Sequence, residues 1–280
     1  MTVTRIHGFP IARLLVLVAL SAGVLAVAAT PQSYYFLVFS NPVDGYEKEY
    51  NDWYDGQHAA DVVSIPGFVS AQRYVQNELP FFKVIDIKLP KYLIVYRIVS
   101  SDVESVFAEV ERRLRTGETY LSPAYNRKNS QSYVYRTLGP ALKGPGGDAP
   151  GAKSGPKQNY IQVVFSAMTQ GADEKEFNAF YDQHHAREVV AIPGFIAAQR
   201  MVLARPTIAS IQPTKYFALY WIETSDPGAL KQAATSAQAT FTSSPAFDAK
   251  ATRGYTYRAI GPEWNGDQVR AERAKARSSK

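Results

Sequence analysis

The sequence predicts an α+β fold in which two tandem βαββαβ domains pack together as a barrel. Two observations support this prediction: a long motif occurs twice at constant spacing, and the same order of predicted strands and helices surrounds each copy. The composition agrees, because 280 residues that are 46% hydrophobic and 20% charged can form the cores of two domains of ordinary size.

The repeat is clearest where WYDGQHAADVVSIPGFVSAQRYV, from Trp53 to Val75, aligns with FYDQHHAREVVAIPGFIAAQRMV, from Phe180 to Val202, at an offset of 127. Two shorter matches follow, SPAY at 122–125 with SPAF at 244–247, and YVYRTLGP at 133–140 with YTYRAIGP at 255–262. We therefore predict two homologous domains, residues 33–140 and 159–262.

Each domain has the same predicted elements. Alternating apolar residues indicate strands at 34–40, 68–76, 91–99 and 132–138, and at 160–166, 195–203, 215–223 and 254–260. Helices are predicted at 46–63 and 101–115, and at 174–190 and 227–240, with Pro-Gly ending the first helix of each pair. The order βαββαβ is that of the ferredoxin-like unit, whose sheet is covered by helices on one face.

The aromatic residues are numerous, with 18 tyrosines and 14 phenylalanines. We assign the odd-numbered residues of 35–39 to the helix-covered face of the first sheet and the even-numbered residues of 34–38 to its open face, where the two sheets meet. Tyrosines two or four residues apart on a strand share a face. We expect most of these tyrosines to point between the sheets, and six to bind substrate there: Tyr34, Tyr96, Tyr135, Tyr160, Tyr220 and Tyr257. The alternative is that they are good strand formers whose hydroxyls reach solvent.

Three segments flank the predicted domains. Residues 1–28 are typical of a secretory signal peptide, because Arg5 and Arg13 precede an apolar run that ends in Ala-Val-Ala. An uncleaved N-terminal anchor is the alternative, and either one predicts a periplasmic or secreted protein with no other membrane association. Residues 141–158, rich in glycine and proline, predict a flexible linker. Residues 263–280 predict a solvated basic tail.

Composition excludes several kinds of chemistry. The chain has no cysteine, which excludes a thiolate nucleophile, a disulfide framework and cysteine-ligated metals. Its formal charge of +6 comes from scattered residues, so we expect no nucleic-acid partner. With only four histidines we also expect no dedicated metal site, although a single histidine could serve as an axial haem ligand.

The candidate catalytic residues share one face of the first helix in each domain. They stand at i, i+4, i+8 and i+11: Tyr50, Tyr54, His58 and Asp61 in the first copy, and Phe177, Tyr181, His185 and Glu188 in the second. We predict that the acid three residues on orients each imidazole and raises its pKa, which would make a general acid/base of His58 or His185. Tyr54 and Tyr181 would stabilise developing oxygen charge. The alternative is structural, with histidine and acid fixing the helix end to the IPGF turn.

Arg73 and Arg200 follow glutamines in the second strand of each domain. Because neighbouring residues of a strand face opposite sides, we expect only the glutamine to see a central cavity. For each arginine we expect a structural pairing with a carboxylate.

The run E-x-x-x-W/F-Y-D-x-x-H-x-x-D/E-V-V-x-I-P-G-F-x-x-A-Q-R, at Glu49–Arg73 and Glu176–Arg200, resembles the EthD-type members of the dimeric α+β barrel superfamily. The resemblance implies a barrel that is usually built from two chains, so that here two fused copies would form a pseudo-dimer. It also implies that His58 and His185 fall on the family's motif histidine. Superfamily members include cofactor-free isomerases, cyclases, decarboxylases, dehydratases and monooxygenases, and also haem-dependent enzymes.

These expectations lead to one functional hypothesis and two alternatives. The hypothesis is an exported, cofactor-independent lyase or isomerase that acts on a small aromatic or phenolic compound, as a monomer with an internal pseudo-dimer or as a homodimer. The first alternative is a non-catalytic protein that binds a hydrophobic ligand. The second is a haem-binding oxidase or peroxidase-like protein.

Overall fold

The computed structural model describes residues 29–77, 81, 89–208 and 214–279. The predicted signal peptide lies outside the described residues. The strands are β1 Gln32–Ser40, β2 Phe68–Gln76, β3 Tyr92–Ser100, β4 Gln131–Thr137, β5 Leu142–Lys143, β6 Gln158–Ser166, β7 Phe195–Ile208, β8 Tyr216–Thr224 and β9 Arg253–Asn265. The order of these strands and the intervening helices confirms the α+β class.

The longer helices are α1 (47–63), α2 (Val103–Thr116), α3 (174–190), α4 (Pro227–Gln238) and α5 (Gly266–Ser278). Asp102 caps α2 by accepting a hydrogen bond from the Ser105 amide, and Asp226 caps α4 in the same way through the amides of Gly228 and Ala229. Both α1 and α3 contain a central π-helical turn, Tyr54–His58 in α1 and Tyr181–His185 in α3. An α-helical period did not predict these wider turns.

Eight strands form a closed antiparallel barrel in the order β4-β1-β3-β2-β9-β6-β8-β7, which closes through β4 and β7. Within each half the order matches a βαββαβ unit, with the first strand beside the fourth and the third. The halves meet at two seams, β2 with β9 and β4 with β7. Each seam therefore pairs the second strand of one half with the last strand of the other.

Three apolar clusters fill the molecule. One lies inside the barrel and contains Leu37, Phe39 and Phe165. The other two lie outside it, between the sheet and the helices of each half; the first of these includes Tyr34, Val38 and Trp53.

The predicted assignment of strand faces was wrong. The odd-numbered residues of 35–39 point into the barrel, and the even-numbered residues of 34–38 lie under α1 and α2. Both faces of β1 are apolar, so alternation shows which residues share a face without showing which face the helices cover. Four predicted substrate-binding tyrosines consequently lie on the helix side: Tyr34, Tyr96, Tyr160 and Tyr220. Tyr135 and Tyr257 do point into the barrel.

The segment predicted as a flexible linker is ordered against the second half. Leu142 and Lys143 pair with β7, and the Asp148 carboxylate accepts hydrogen bonds from the Ser225 amide and the hydroxyls of Thr224 and Ser225. A Cβ atom at Gly144 would lie 2.3 Å from the Phe195 carbonyl oxygen, so this close approach requires glycine.

The predicted basic tail is also ordered, as the end of β9 followed by α5. Gly266 repeats the close approach of Gly144, because a Cβ there would lie 2.3 Å from the Phe68 carbonyl oxygen. The sequences GPALKG at 139–144 and GPEWNG at 261–266 show that the repeat extends this far. Beyond it the halves differ, since α5 packs on the first half. In the part of the chain described, no helix is long and apolar enough to cross a membrane.

We expect Arg270→Ala to destabilise the protein by about 1–3 kcal/mol, because Nη1 of Arg270 donates to the carbonyls of Val63, Ile65 and Phe68 at 3.1–3.3 Å. Urea unfolding would measure the change. The matched control is Arg277→Ala on the exposed face of α5, for which we expect less than about 0.5 kcal/mol. Equal effects of the two substitutions would show that α5 does not hold the α1–β2 turn.

Candidate functional site

A buried arginine supports the helix that carries the first candidate site. Arg73 lies on β2 with 1% of its surface exposed. It donates hydrogen bonds to Asp55 Oδ1 and Asn51 Oδ1 of α1, each at 2.7 Å. Its guanidinium carbon also lies 4.7 Å from the ring centroid of Tyr54, which is a cation–π contact. Arg73 thus fixes the start of the π turn that carries Tyr54 and His58.

The second half repeats this arrangement around Arg200. The Arg200 guanidinium donates to Asn178 Oδ1 at 2.8 Å and lies 4.4 Å from the ring centroid of Tyr181. Its Nη1 lies 2.7 Å from Asp182 Oδ1 in the geometry of an ion pair rather than of a hydrogen bond. The expected pairing of both arginines with a carboxylate is confirmed, and the partner is the aspartate that follows the tyrosine.

The tyrosine and histidine of each motif are brought together as predicted. The ring centroids of Tyr54 and His58 are 5.1 Å apart, and those of Tyr181 and His185 are 5.0 Å apart. In the first half the His58 imidazole also stacks on Trp53 at 4.2 Å. Because π turns inside α-helices are frequent at functional sites, their presence at the same place in both halves draws attention to these residues.

Each histidine lines a cavity between the sheet and the helices, outside the barrel. The first cavity has a volume of about 230 Å³ and is lined by the outer face of β1 and β3, by α1 and α2, and by the loop 119–132. Tyr54, His58 and Tyr96 lie on its wall, with Phe36 and Val62 beside them. This location differs from the predicted one between the two sheets.

The second cavity occupies the equivalent place in the second half and has a volume of about 130 Å³. Its wall includes Gln162, Val164, His185 and Tyr220. Tyr181 is not part of this wall, because its hydroxyl lies behind it, 3.0 Å from Ser166 Oγ and 3.4 Å from the Tyr220 hydroxyl.

The predicted histidine–acid pairs do not form. Asp61 accepts a hydrogen bond from Arg273 of α5 at 2.6 Å, and Glu188 accepts from the amide and hydroxyl of Thr242. No ion pair among the described residues joins either acid to its histidine. Donors elsewhere in the chain engage both acids instead.

The expectation of raised histidine pKa values was also wrong. Burial lowers the pKa of His58 to about 3, a hydrogen bond with the Tyr120 backbone opposes this shift, and the charge of Arg73 adds to it. Burial lowers the pKa of His185 to about 4; the charge of Glu188 opposes this shift and that of Arg200 adds to it. Both imidazoles are therefore neutral at pH 7 and can accept a proton or a hydrogen bond.

The tyrosines beside them stay protonated. Burial raises the pKa of Tyr54 and of Tyr220 well above the ordinary value, and it also raises the pKa of Tyr181. These phenols are therefore hydrogen-bond donors and not bases. Nδ1 of His58 has no hydrogen-bond partner among the described residues, and it is a buried polar atom with almost no surface of its own exposed.

The six tyrosines predicted to bind substrate have different environments. Tyr96 and Tyr220 line the two cavities. The hydroxyls of Tyr135 and Tyr257 donate to the carbonyls of Thr214 and Pro90, so these two side chains hold loops of the opposite half. Tyr34 and Tyr160 lie in the clusters between sheet and helices without forming part of either cavity wall.

Sequence reasoning missed four contributors to the cavities. Tyr125 and Phe247 close the two cavities at equivalent positions. Their signal was the repeated SPAY and SPAF, which was recognised only as a repeat. Phe36 and Gln162 also occupy equivalent positions, and the reversed assignment of strand faces concealed them.

The cavities do not fit a haem. Both are smaller than the roughly 300–1,000 Å³ that drug-sized ligands occupy, and a haem macrocycle is larger than most such ligands. The His58 ring also contacts the rings of Trp53 and Tyr54, at centroid distances of 4.2 and 5.1 Å. Within the described ranges no three acidic or histidine side chains cluster as a metal site would require.

No family model matches the chain, and no curated protein matches it by sequence. Solved structures with a similar shape include an anthrone oxidase-like protein, at 14% identity and a TM-score of 0.45 over 84% of this chain and 93% of the other. A candidate monooxygenase from Fusobacterium nucleatum matches at 10% identity and a TM-score of 0.44 over 85% and 95% of the two chains. A chlorite dismutase mutant from Candidatus Nitrospira defluvii matches at 10% identity and a TM-score of 0.41 over 86% and 94%. At such scores the activities of these proteins do not transfer to this chain.

We expect Arg73→Met to lower the free energy of unfolding by about 2–3 kcal/mol, because hydrogen bonds from a charged group contribute more than neutral ones. Chemical denaturation followed by far-UV circular dichroism measures this change. Lys48→Met removes an exposed ion pair on α1, the helix that Arg73 contacts, and should lower the free energy of unfolding by less than about 0.5 kcal/mol. A loss of similar size in both variants would contradict the role given to Arg73.

The low histidine pKa values make stability depend on pH. In the unfolded chain a histidine binds a proton below about pH 6.5, whereas His58 and His185 stay neutral in the folded protein down to about pH 3 and 4. Their contribution to stability is therefore complete above pH 6.5 and is lost as the pH falls toward the folded pKa values. The expected slope between pH 6.5 and 4.5 is up to about 1.4 kcal/mol per pH unit for each histidine. Urea unfolding at several pH values measures it, and His58→Gln should reduce it. An unchanged slope in that variant would contradict a buried, neutral His58.

Proposed function

We propose that this protein is a cofactor-independent enzyme, a lyase or isomerase, that removes a carbon-bound proton from a small aromatic compound in the cavities between helices and sheet. One observation carries the proposal. In each half, an imidazole kept neutral by burial and a phenol kept protonated by burial line the same cavity. A base and a hydrogen-bond donor side by side are what proton transfer next to a carbonyl requires.

His58 and His185 act as the bases. The base of ketosteroid isomerase, with a pKa of about 4.6, abstracts a proton next to a carbonyl because a neighbouring donor stabilises the enolate. His185, with a pKa of about 4, is close to that value, and His58, with a pKa of about 3, is the weaker base. The carbon-bound proton moves to an imidazole nitrogen, and the electron pair moves onto the carbonyl oxygen. Return of the proton to a different carbon gives an isomer, and loss of a leaving group from the adjacent carbon gives the lyase product.

The donors differ between the halves. Tyr54 and Tyr96 line the first cavity and supply phenol groups to the developing oxygen charge. In the second half Tyr220 takes this role, and Tyr181 supports Tyr220 from behind. Asp61 and Glu188 are not the partners of the bases in this proposal, because other donors engage them.

The second candidate function is ligand binding without turnover. Among the described residues no carboxylate forms a hydrogen bond or an ion pair with either histidine, and this favours the second function, since such a partner would make the imidazole a stronger base. In that case the small aromatic molecule occupies the same cavities and the imidazoles only form hydrogen bonds with it.

The organisation of the chain belongs to the same proposal. We infer that residues 33–140 and 159–262 are tandem EthD-like, ferredoxin-like copies, which the repeated motif and the repeated arginine contacts support. Closure of the barrel within one chain supports an internal pseudo-dimer. The apolar run before residue 29 supports export.

Solvent deuterium exchange tests the proposal without knowledge of the natural substrate. Purified protein is incubated in D2O at pH 7 with a panel of small aromatic ketones and phenols, and mass spectrometry follows deuterium gained at carbon. We expect at least one compound to exchange faster than in buffer. His58→Gln, His185→Gln and the double variant should lower this rate, with a loss of about 10²-fold or more in the half that does the chemistry.

His184→Gln is the matched control, because this histidine neighbours His185 but does not line the second cavity. It should exchange at the wild-type rate. Binding without exchange across the panel would favour the second candidate function. Exchange that survives in the double variant would contradict the assignment of the two bases.

A further inference from the structure

The two cavities are equivalent in position but differ in chemistry. Phe36 of β1 corresponds to Gln162 of β6, and Ser132 of β4 corresponds to Gly254 of β9; all four line their cavities. The first cavity thus presents an aromatic ring at the place where the second presents an amide. The two differences occur together: the half that has Phe36 has Ser132, and the half that has Gln162 has Gly254.

The Gln162 side chain is held in a fixed orientation. Only 1% of the residue is exposed, and its Oε1 accepts a hydrogen bond from the Thr256 hydroxyl at 2.5 Å. This contact directs the amide nitrogen to the opposite side, toward Gly254. A Cβ atom at Gly254 would lie 2.7 Å from Nε2, so a larger residue there would push this nitrogen out of its present position.

The Gln162 Nε2 is available to a ligand. Among the described residues no hydrogen bond uses this nitrogen, and it is not one of the buried polar atoms sealed from solvent. An amide nitrogen donates hydrogen bonds and does not accept them. His185 lies on the wall of the same cavity, and its imidazole is neutral at pH 7.

We propose that the second cavity selects small aromatic molecules that carry a hydrogen-bond acceptor, such as a carbonyl oxygen, and that Gln162 is the residue that determines this specificity. The first cavity, with Phe36 in its place, selects by apolar contact at that position. This inference rests on the proposed function for the location of the ligand and adds which half takes which ligand. It assigns the two halves different ligand preferences instead of two equal sites.

The test compares acetophenone with α-methylstyrene, which has a methylene group in place of the carbonyl oxygen. Methyl-labelled valines assign the binding place, because Val164 and Val189 line the second cavity while Val38 and Val62 touch the first or its neighbouring core. Titrations followed by NMR give both dissociation constants at each cavity. We expect the ratio of the two dissociation constants to favour acetophenone about fivefold more in the second cavity than in the first. This factor is about the gain in affinity that one net hydrogen bond provides.

Gln162→Met keeps the length of the side chain and removes the donor, so it should abolish the fivefold difference. Gln158→Met, at an exposed position of the same strand, is the control and should leave it unchanged. If Gln162→Met does not fold, the double variant Phe36→Gln with Ser132→Gly tests the same idea by transfer, and the first cavity should then gain the preference for acetophenone.

The outcomes separate this inference from the proposed function. Equal ratios at the two cavities of the wild-type protein, or an unchanged ratio in Gln162→Met, would overturn the specificity of the second cavity even if solvent exchange proceeds. A fivefold difference that Gln162→Met removes would support it even if no exchange occurs. If millimolar ligand moves the NMR signals of neither set of valines, the inference is wrong.

Discussion

The ion pair and ring contact of one buried arginine in each half determine where the site is. Arg73 and Arg200 connect a barrel strand to the helix that carries the histidine, and each engages an asparagine, an aspartate and the face of a tyrosine. A guanidinium this deeply buried is stable only when its charge is paired, and in both halves an aspartate pairs with it. The helix therefore has little freedom to slide along the sheet, and the imidazole is fixed over the cavity. The low pKa of each histidine follows from the same burial.

The repeat preserves this framework and varies what surrounds it. The arginine, asparagine, aspartate and tyrosine occur in both halves, whereas the cavity walls differ at Phe36 and Gln162. The segments after the repeat differ too, since 145–157 follows one copy and α5 follows the other. Asp61, the acid three residues after His58, accepts its hydrogen bond from Arg273 of α5, which follows the second copy of the repeat. Glu188, the acid three residues after His185, accepts its hydrogen bonds from within its own half.

Sequence periodicity and turn chemistry were sufficient for the eight barrel strands, the first two helices of each half and their order, but not for β5 and α5. The Pro-Gly turn after α1 lies where local signals placed it. Three features could not be predicted from the sequence and required the structure. The covered face of β1 could not be chosen because both faces are apolar, the π turns leave no mark in an α-helical period, and the partner of Asp61 lies 212 residues along the chain. The candidate histidines were found from their spacing with tyrosine and acid on one helix face, but the direction of their pKa shift depends on burial that spacing does not show.

The pairing of β2 with β9 has a consequence for how the molecule is made. The first half offers two open strand edges, β2 and β4, until its partners in the second half exist. The stretch that protects β2 is β9, and α5 then covers the turn beside it; both belong to the last 30 residues of the chain. The first half therefore cannot be closed until synthesis has passed residue 265. A chain that stops before β9 leaves the edge of β2 unpaired, and an unpaired edge favours pairing with other chains.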